Sequence, residues 1–177
     1  KPEIRAMTMH DKAVIMRMLK DTPEFTPAEV VVAEEVIDAY LQDPVWSGYL
    51  TSVAIIDASV VGYICYGTTP LTEGTWDIYW IAVDGQQQGK GIGGLLMSFA
   101  ESKLKEASAR MALIETSSKA DYEKTRRFYD KLGYQLICRV PDFYKPGDDK
   151  LILQSIESKE QKLEIPARRG KKAETGL

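Results

Sequence analysis

The sequence predicts a mixed α/β fold, and three observations carry that prediction. Runs rich in β-branched and aromatic residues have the length of strands. Amphipathic runs with helical spacing lie between them. One unit, residues 76–116, reads strand, polar turn, helix, strand, which is the pattern of a parallel pair joined by a right-handed crossover. The full order is β-α-α-β-β-β-α-β-α-β-β, about seven strands and four helices, with an otherwise antiparallel central sheet. At 177 residues the chain suits one domain with a substantial core.

Glu3-Ile4-Arg5-Ala6-Met7 reads as a first strand. Asp11 to Leu19 reads as a helix, because Val14, Ile15, Met18 and Leu19 share one face. Thr26-Pro27-Ala28-Glu29 carries a helix-start signature: threonine at N-cap, proline at N1 and glutamate at N3. That second helix is expected to run to Leu41 and stop before Pro44. Leu50–Asp57 and Val60–Tyr66 are β-rich and separated by a short polar connection, the pattern of an antiparallel hairpin. Pro70 and Gly74 mark a loop leading to the strand Trp76–Val83. A long helix follows the glycines and continues to Ala107. Met111–Thr116 is a strand, and Tyr122–Leu132 a helix closed by Gly133 at C′. Tyr134–Val140 and Lys150–Ile156 complete the set around a 141–149 loop. Residues 1–157 are therefore read as the domain. Ser158–Leu177 is charge-rich and free of aromatics, so a poorly ordered tail is expected there.

Bulk properties exclude several functions. Hydrophobic residues make up 44% and charged residues 28%, an ordinary soluble composition. The net charge of -3 gives no electrostatic reason to expect nucleic acid or an anionic membrane as partner. No apolar run reaches membrane-spanning length, and no signal-peptide core opens the chain. Two cysteines, Cys65 and Cys138, match neither a metal spacing nor a disulfide framework, and a single histidine, His10, nearly excludes a histidine-based metal cage or a Ser–His–Asp triad. No metal is expected, and the setting expected is cytoplasmic.

The chemistry concentrates at the end of the 76–83 strand. Gln88-Gly89-Lys90-Gly91-Ile92-Gly93-Gly94 places several glycines where a helix begins, although glycine there loses more backbone entropy than alanine. A bare helix start offers free N–H groups and the positive end of the helix dipole, together an anion cradle. Dinucleotide-binding and Walker A readings fail. The first wants its glycines early in the domain and an acid on the following strand, where position 112 is alanine. The second wants Gly-Lys-Ser/Thr after its last glycine.

What remains, Gln88-x-x-Gly91-x-Gly93 after a strand ending Ile81-Ala82-Val83, together with Tyr122 through Tyr134 downstream, resembles the GNAT superfamily of N-acetyltransferases over residues 3–156. The resemblance implies acetyl-coenzyme A as co-substrate. It implies pyrophosphate on the amides of Gln88, Gly89, Lys90, Gly91, Ile92, Gly93 and Gly94. It also implies a pantetheine arm pairing with Ile81, Ala82 and Val83, in a V-shaped cleft where that strand splays from the next. Tyr129 takes the place of the tyrosine that protonates the leaving thiolate. Its phenol is protonated at neutral pH. Tyr122 and Tyr129 are the cofactor-binding positions the resemblance implies on this helix, although the family commonly has asparagine where this chain has Tyr122, which puts the side-chain contact to the cofactor arm there in question. For the base, Asp77 stands on the strand that enters the cradle, and alternation places it on one face with Tyr79, Ile81 and Val83 unless a bulge intervenes. Glu115 and Glu73 are rivals.

Acceptor specificity is expected from the two early helices and the 67–75 and 141–149 loops. Their aromatics (Phe25, Trp80 and Tyr144 among them) and acids suit a small cationic amine. The function expected is direct acetyl transfer to a primary amine of a small molecule or amino acid. Two alternatives are a protein N-terminus or lysine as acceptor, and an inactive acetyl-coenzyme A-binding regulator. Folds of this kind also form homodimers through their late strands.

Overall fold

Local sequence signals account for most element boundaries in the computed structural model, which describes residues 2–155. Strand β1 (Glu3–Ala6) is followed by helices α1 (Lys12–Asp21) and α2 (Pro27–Gln42). Helix α2 starts as its sequence predicts: Thr26 Oγ1 accepts from the Glu29 N–H at 3.2 Å, and the Thr26 N–H donates to Glu29 Oε2 at 2.7 Å. Strands β2 (Tyr49–Ile56) and β3 (Ser59–Thr68) form the hairpin. Its two turn residues, Asp57 and Ala58, have φ of 48° and 61°, the hand that matches the twist of the flanking strands.

Strand β4 (Thr75–Val83) leads to α3 (Ile92–Glu106), β5 (Met111–Ser117), α4 (Glu123–Lys131), β6 (Tyr134–Lys145) and β7 (Asp148–Ser155). The last two strands are longer than their sequence suggests. The expected 141–149 loop is instead the end of a ribbon, with Lys145 still opposite Asp148 and Gly147 turning the chain at φ 78°. The tail 158–177 lies outside the described residues.

The seven strands form one sheet in the order β1-β2-β3-β4-β5-β7-β6, antiparallel except for β4 beside β5. Helices α1 and α2 cover one face, packing Ile15, Leu19, Ala33 and Ile37 on Val53, Tyr63 and Cys65. Helices α3 and α4 cover the other, packing Ile92, Leu96, Met97 and Tyr129 on Ile64, Ile78, Ala112 and Ile114.

Two features of β4 prepare a site. Its parallel pairing with β5 covers only Thr75–Asp77 against Met111–Leu113, and beyond that the two strands diverge. The register against β3 also slips. Cys65 faces Trp80 and Tyr66 faces Ile78, so Tyr79 is an extra residue in a bulge. The bulge reverses the side-chain alternation. Trp76, Ile78, Ile81 and Val83 belong to the core under α3 and α4, whereas Tyr79, Trp80 and Ala82 belong to the core under α1 and α2. Alternation from Trp76 and Ile78 puts Asp77 on the α1–α2 face. It therefore does not share a face with Ile81 and Val83, as unbroken alternation predicts.

Candidate functional site

Where β4 and β5 separate, the sheet is breached by a cavity of about 900 Å³. Its wall takes residues from both faces: Ile81, Val83, Ile92, Phe128 and Tyr129 on the α3–α4 side, and Phe25, Tyr79, Trp80 and Ala82 on the α1–α2 side.

The glycine-rich segment forms the cavity wall after β4. Asp84 turns the chain by accepting from the Gln86 N–H at 2.9 Å, and Gly89 and Gly91 then take φ of 76° and 82°. Those angles favour glycine, and a side chain at Gly91 would meet nothing within 4 Å. Gly91 is the N-cap of α3, and its carbonyl accepts the helix's first bond, from the Leu95 N–H at 3.1 Å. The N–H groups of Ile92, Gly93 and Gly94 thus stand in the first turn without helical partners. Gly93 is small for a different reason, since a Cβ there would stand 3.2 Å from the Phe128 ring. Gly94 has an ordinary φ, and a Cβ added there would meet nothing within 4 Å, so that side of the helix start is open. Small residues, unpaired N–H groups and open space fit a pyrophosphate.

Of the sequence-predicted cofactor residues, Ile81, Ala82, Val83, Gln88, Gly89, Gly91, Ile92, Gly93, Gly94, Tyr122 and Tyr129 all border this cavity. Lys90 does not border it, and its ammonium donates to Gln87 Oε1 at 3.0 Å. Other lysines do, Lys124 among them. Lys124, at the head of α4, donates to Gln88 Oε1 at 2.8 Å, while Gln88 Nε2 donates to the Val83 carbonyl at 3.3 Å. Only the fold brings Lys124 within reach of a residue 36 positions earlier.

Tyr129 is 5% exposed, with ring centroids of Phe128 and Tyr134 at 5.2 and 6.0 Å. Burial pushes its hydroxyl far above the ordinary tyrosine range, so it holds its proton at neutral pH and is a donor there. Arg126 braces the head of the same helix by donating to the carbonyls of Ser117 and Lys119 at 2.8 and 2.7 Å.

The candidate bases separate. Glu115 borders the cavity, and Lys150 Nζ lies 2.7 Å from its Oε1. Asp77 sits at the vertex where β4 and β5 part, off the cavity wall, accepting from Thr69 Oγ1 at 2.5 Å. Its charge is nonetheless felt nearby: burial first, then Asp77, pushes the Tyr79 hydroxyl up to about 12. Glu73 lies outside the cavity wall, as does the whole 67–75 loop. That loop enters β4 at its N-terminal end, whereas the breach opens at the C-terminal end. Thr22, Glu24–Thr26, Glu29, Tyr144 and Asp148 border the cavity instead. Asp148 is buried, accepting from the Ser117 hydroxyl at 2.5 Å and pairing with Lys119 at 3.1 Å.

Among the described residues, no group of three or more His, Cys, Asp or Glu is arranged to hold a metal ion, and no helix is long and apolar enough to cross a membrane.

Residues 46–136 match the family model of the acetyltransferase (GNAT) domain. An uncharacterized N-acetyltransferase of Methanocaldococcus jannaschii is 31% identical over 111 residues, 61% of this chain and 68% of that protein. A protein of Desulfovibrio desulfuricans described as an acetyltransferase of the GNAT family superposes with a TM-score of 0.84 at 36% identity, over 87% of this chain and 98% of the other. The PaiA N-acetyltransferase of Thermoplasma acidophilum, solved with coenzyme A, shares the fold at a TM-score of 0.69 and 15% identity, over 88% of this chain and 98% of that one.

Proposed function

Because the chain belongs to the GNAT acetyltransferase family and is an N-acetyltransferase, we propose that it moves the acetyl group of acetyl-coenzyme A directly onto a primary amine of a small molecule or amino acid. The observation that carries this reading is the cavity that passes between β4 and β5. It joins an anion cradle on the α3–α4 side to a wall of aromatics and carboxylates on the α1–α2 side, with Tyr129 beside it.

In this reading the amides of the α3 start hold the pyrophosphate, and the edge of β4 freed by the splay pairs with the pantetheine arm. Lys124, already turned toward Gln88, adds positive charge. The amine reaches the thioester carbonyl from the α1–α2 side. A backbone N–H of the freed β4 edge polarises the carbonyl oxygen. The nitrogen–carbon bond forms, the carbon–sulfur bond breaks, and Tyr129 gives its proton to the departing sulfur. Of the two protons the ammonium sheds, one leaves through a carboxylate, directly or through water, and the other returns Tyr129 to its phenol form. What supports Glu115 over Asp77 is its position on the cavity wall. A small acceptor is favoured over a peptide because the residues 22–26 segment and the β6–β7 ribbon both border the acceptor side.

A coenzyme A-release screen against amines, polyamines, amino acids and short peptides tests the reading. Turnover with small amines is expected, and turnover with peptides alone would overturn the acceptor assignment. Tyr129→Phe should lower kcat by about 100-fold with acetyl-coenzyme A affinity retained. Unchanged turnover at every pH would remove the acid role.

A further inference from the structure

We propose that Tyr122 is a positioning residue for the acceptor side of the cleft: it bolts the α1–α2 connector, residues 22–26, to the head of α4 and so sets the acceptor wall. The inference rests on reading that side of the cavity as the acceptor site.

The connector is short and tightly held. Thr22 Oγ1 donates to the Met18 carbonyl at 2.8 Å, the Phe25 N–H donates to the Thr22 carbonyl at 3.1 Å, and Thr26 and Glu29 close the capping box of α2. Those bonds define its shape but not its place over the cavity. Tyr122 supplies the place. Its hydroxyl lies 2.6 Å from the Glu24 carbonyl, to which it donates, and 3.3 Å from Glu29 Oε1, contacts that span 98 and 93 residues of sequence. Phe25 stands next to the clamped Glu24 and borders the cavity, as do Glu24 and Glu29 themselves.

The bolt has a firm base. Tyr122 ends a 3-10 turn, Ala120–Tyr122, whose neighbouring carbonyls at Ser117 and Lys119 are tied to Arg126 on α4. One rigid path therefore runs from the helix that carries Tyr129 to the wall that the amine must meet. Burial, then Glu29, raises the Tyr122 hydroxyl far above the ordinary range, so it remains a donor at neutral pH. With its one proton engaged by Glu24, Tyr122 is not free to donate to the cofactor arm in this arrangement.

Tyr122→Phe keeps the ring and deletes the bolt. Loss of one partly buried hydrogen bond corresponds to about a tenfold effect. Amide hydrogen exchange at residues 24–26 should therefore rise about tenfold. The KM for the best amine should rise about tenfold, with kcat within about twofold and acetyl-coenzyme A Kd unchanged. Tyr122→Asn, too short to reach Glu24, should reproduce the defect. Unchanged exchange and unchanged acceptor KM would overturn the inference. A weakened acetyl-coenzyme A Kd with unchanged acceptor KM would also overturn it, by returning Tyr122 to the cofactor side. If the wild-type protein turns over no amine, the proposed function fails, and the exchange measurement still decides whether Tyr122 holds the connector.

Discussion

Replacing Gly91 by alanine tests the cradle at its most constrained residue. The backbone there has φ 82°, and a Cβ would meet nothing within 4 Å, so the whole penalty is conformational rather than steric. An L-residue in the left-handed region costs about 1–2 kcal/mol. For a domain of this size that lowers Tm by about 2–8 °C. Part of the strain can be relieved by rotating the helix start, which turns the N–H groups of Ile92–Gly94 away from the anion. Misaiming one charge-assisted bond should weaken coenzyme A binding about tenfold. Scanning calorimetry of the free protein and titration calorimetry with coenzyme A read the two effects separately. Gly91→Asn should recover much of the stability, because asparagine visits the left-handed region more readily. Gly94→Ala is the internal control. Its φ is ordinary and the new Cβ would meet nothing within 4 Å beyond its chain neighbours and its own helix backbone, so the free protein should melt at or above the wild-type temperature. A Gly91→Ala protein with wild-type Tm and wild-type affinity for coenzyme A would refute both the strain argument and the cradle built on it.

Three further variants test the proton path and the scaffold. Glu115→Gln should reduce kcat/KM at neutral pH about tenfold or more, whereas Asp77→Asn should act chiefly on stability through its Thr69 bond; the reverse ranking would restore Asp77 as the base. Asp11 is buried under Arg5, whose guanidinium donates to both carboxylate oxygens at 2.7 and 2.9 Å and holds its pKa down to about 2. At ~1.4 kcal/mol per pH unit that depression is worth about 2 kcal/mol, or about 1–2 kcal/mol once solvent screening at the partly exposed Arg5 is allowed for. Because the folded-state pKa is lowered, this stability is present above the unfolded value near 3.8 and is lost as pH falls through about 2. Asp11→Asn should therefore destabilise the protein fully at pH 7 and little near pH 2, as measured by urea unfolding at both. An equal penalty at both pH values would refute the assignment.

Much of the fold was legible because its signals are local. The Thr26–Glu29 capping box, the short polar connection of the β2–β3 hairpin and the closing Gly133 each mark a boundary within four residues of sequence. The apolar periodicity of α1 named its buried face, with Ile15, Met18 and Leu19 in the core, for the same reason. The candidate cofactor half was legible too, since a glycine-rich helix start is an anion cradle by its own backbone, whatever surrounds it. The α1–α2 side of the cavity was not. The bulge at Tyr79 arises from pairing β4 against β3, and it moved Asp77 off the face of Ile81 and Val83. The 67–75 loop looked like a wall of the site, but it enters β4 at the end where β4 and β5 are still paired. The 141–149 segment looked like a loop, and strand pairing extended it into a ribbon.

The sequence alone therefore determined most of the elements, the glycine-rich start of α3 and the place of Tyr129 on α4. Those depend on backbone preference and on spacing along the chain. The tertiary structure decided which carboxylate borders the cavity, that Lys124 rather than Lys90 reaches it, and that Tyr122 clamps a connector 98 residues away. Each of those is a contact between distant segments. Strand register and the divergence of β4 from β5 set such contacts, and no stretch of chain encodes them by itself.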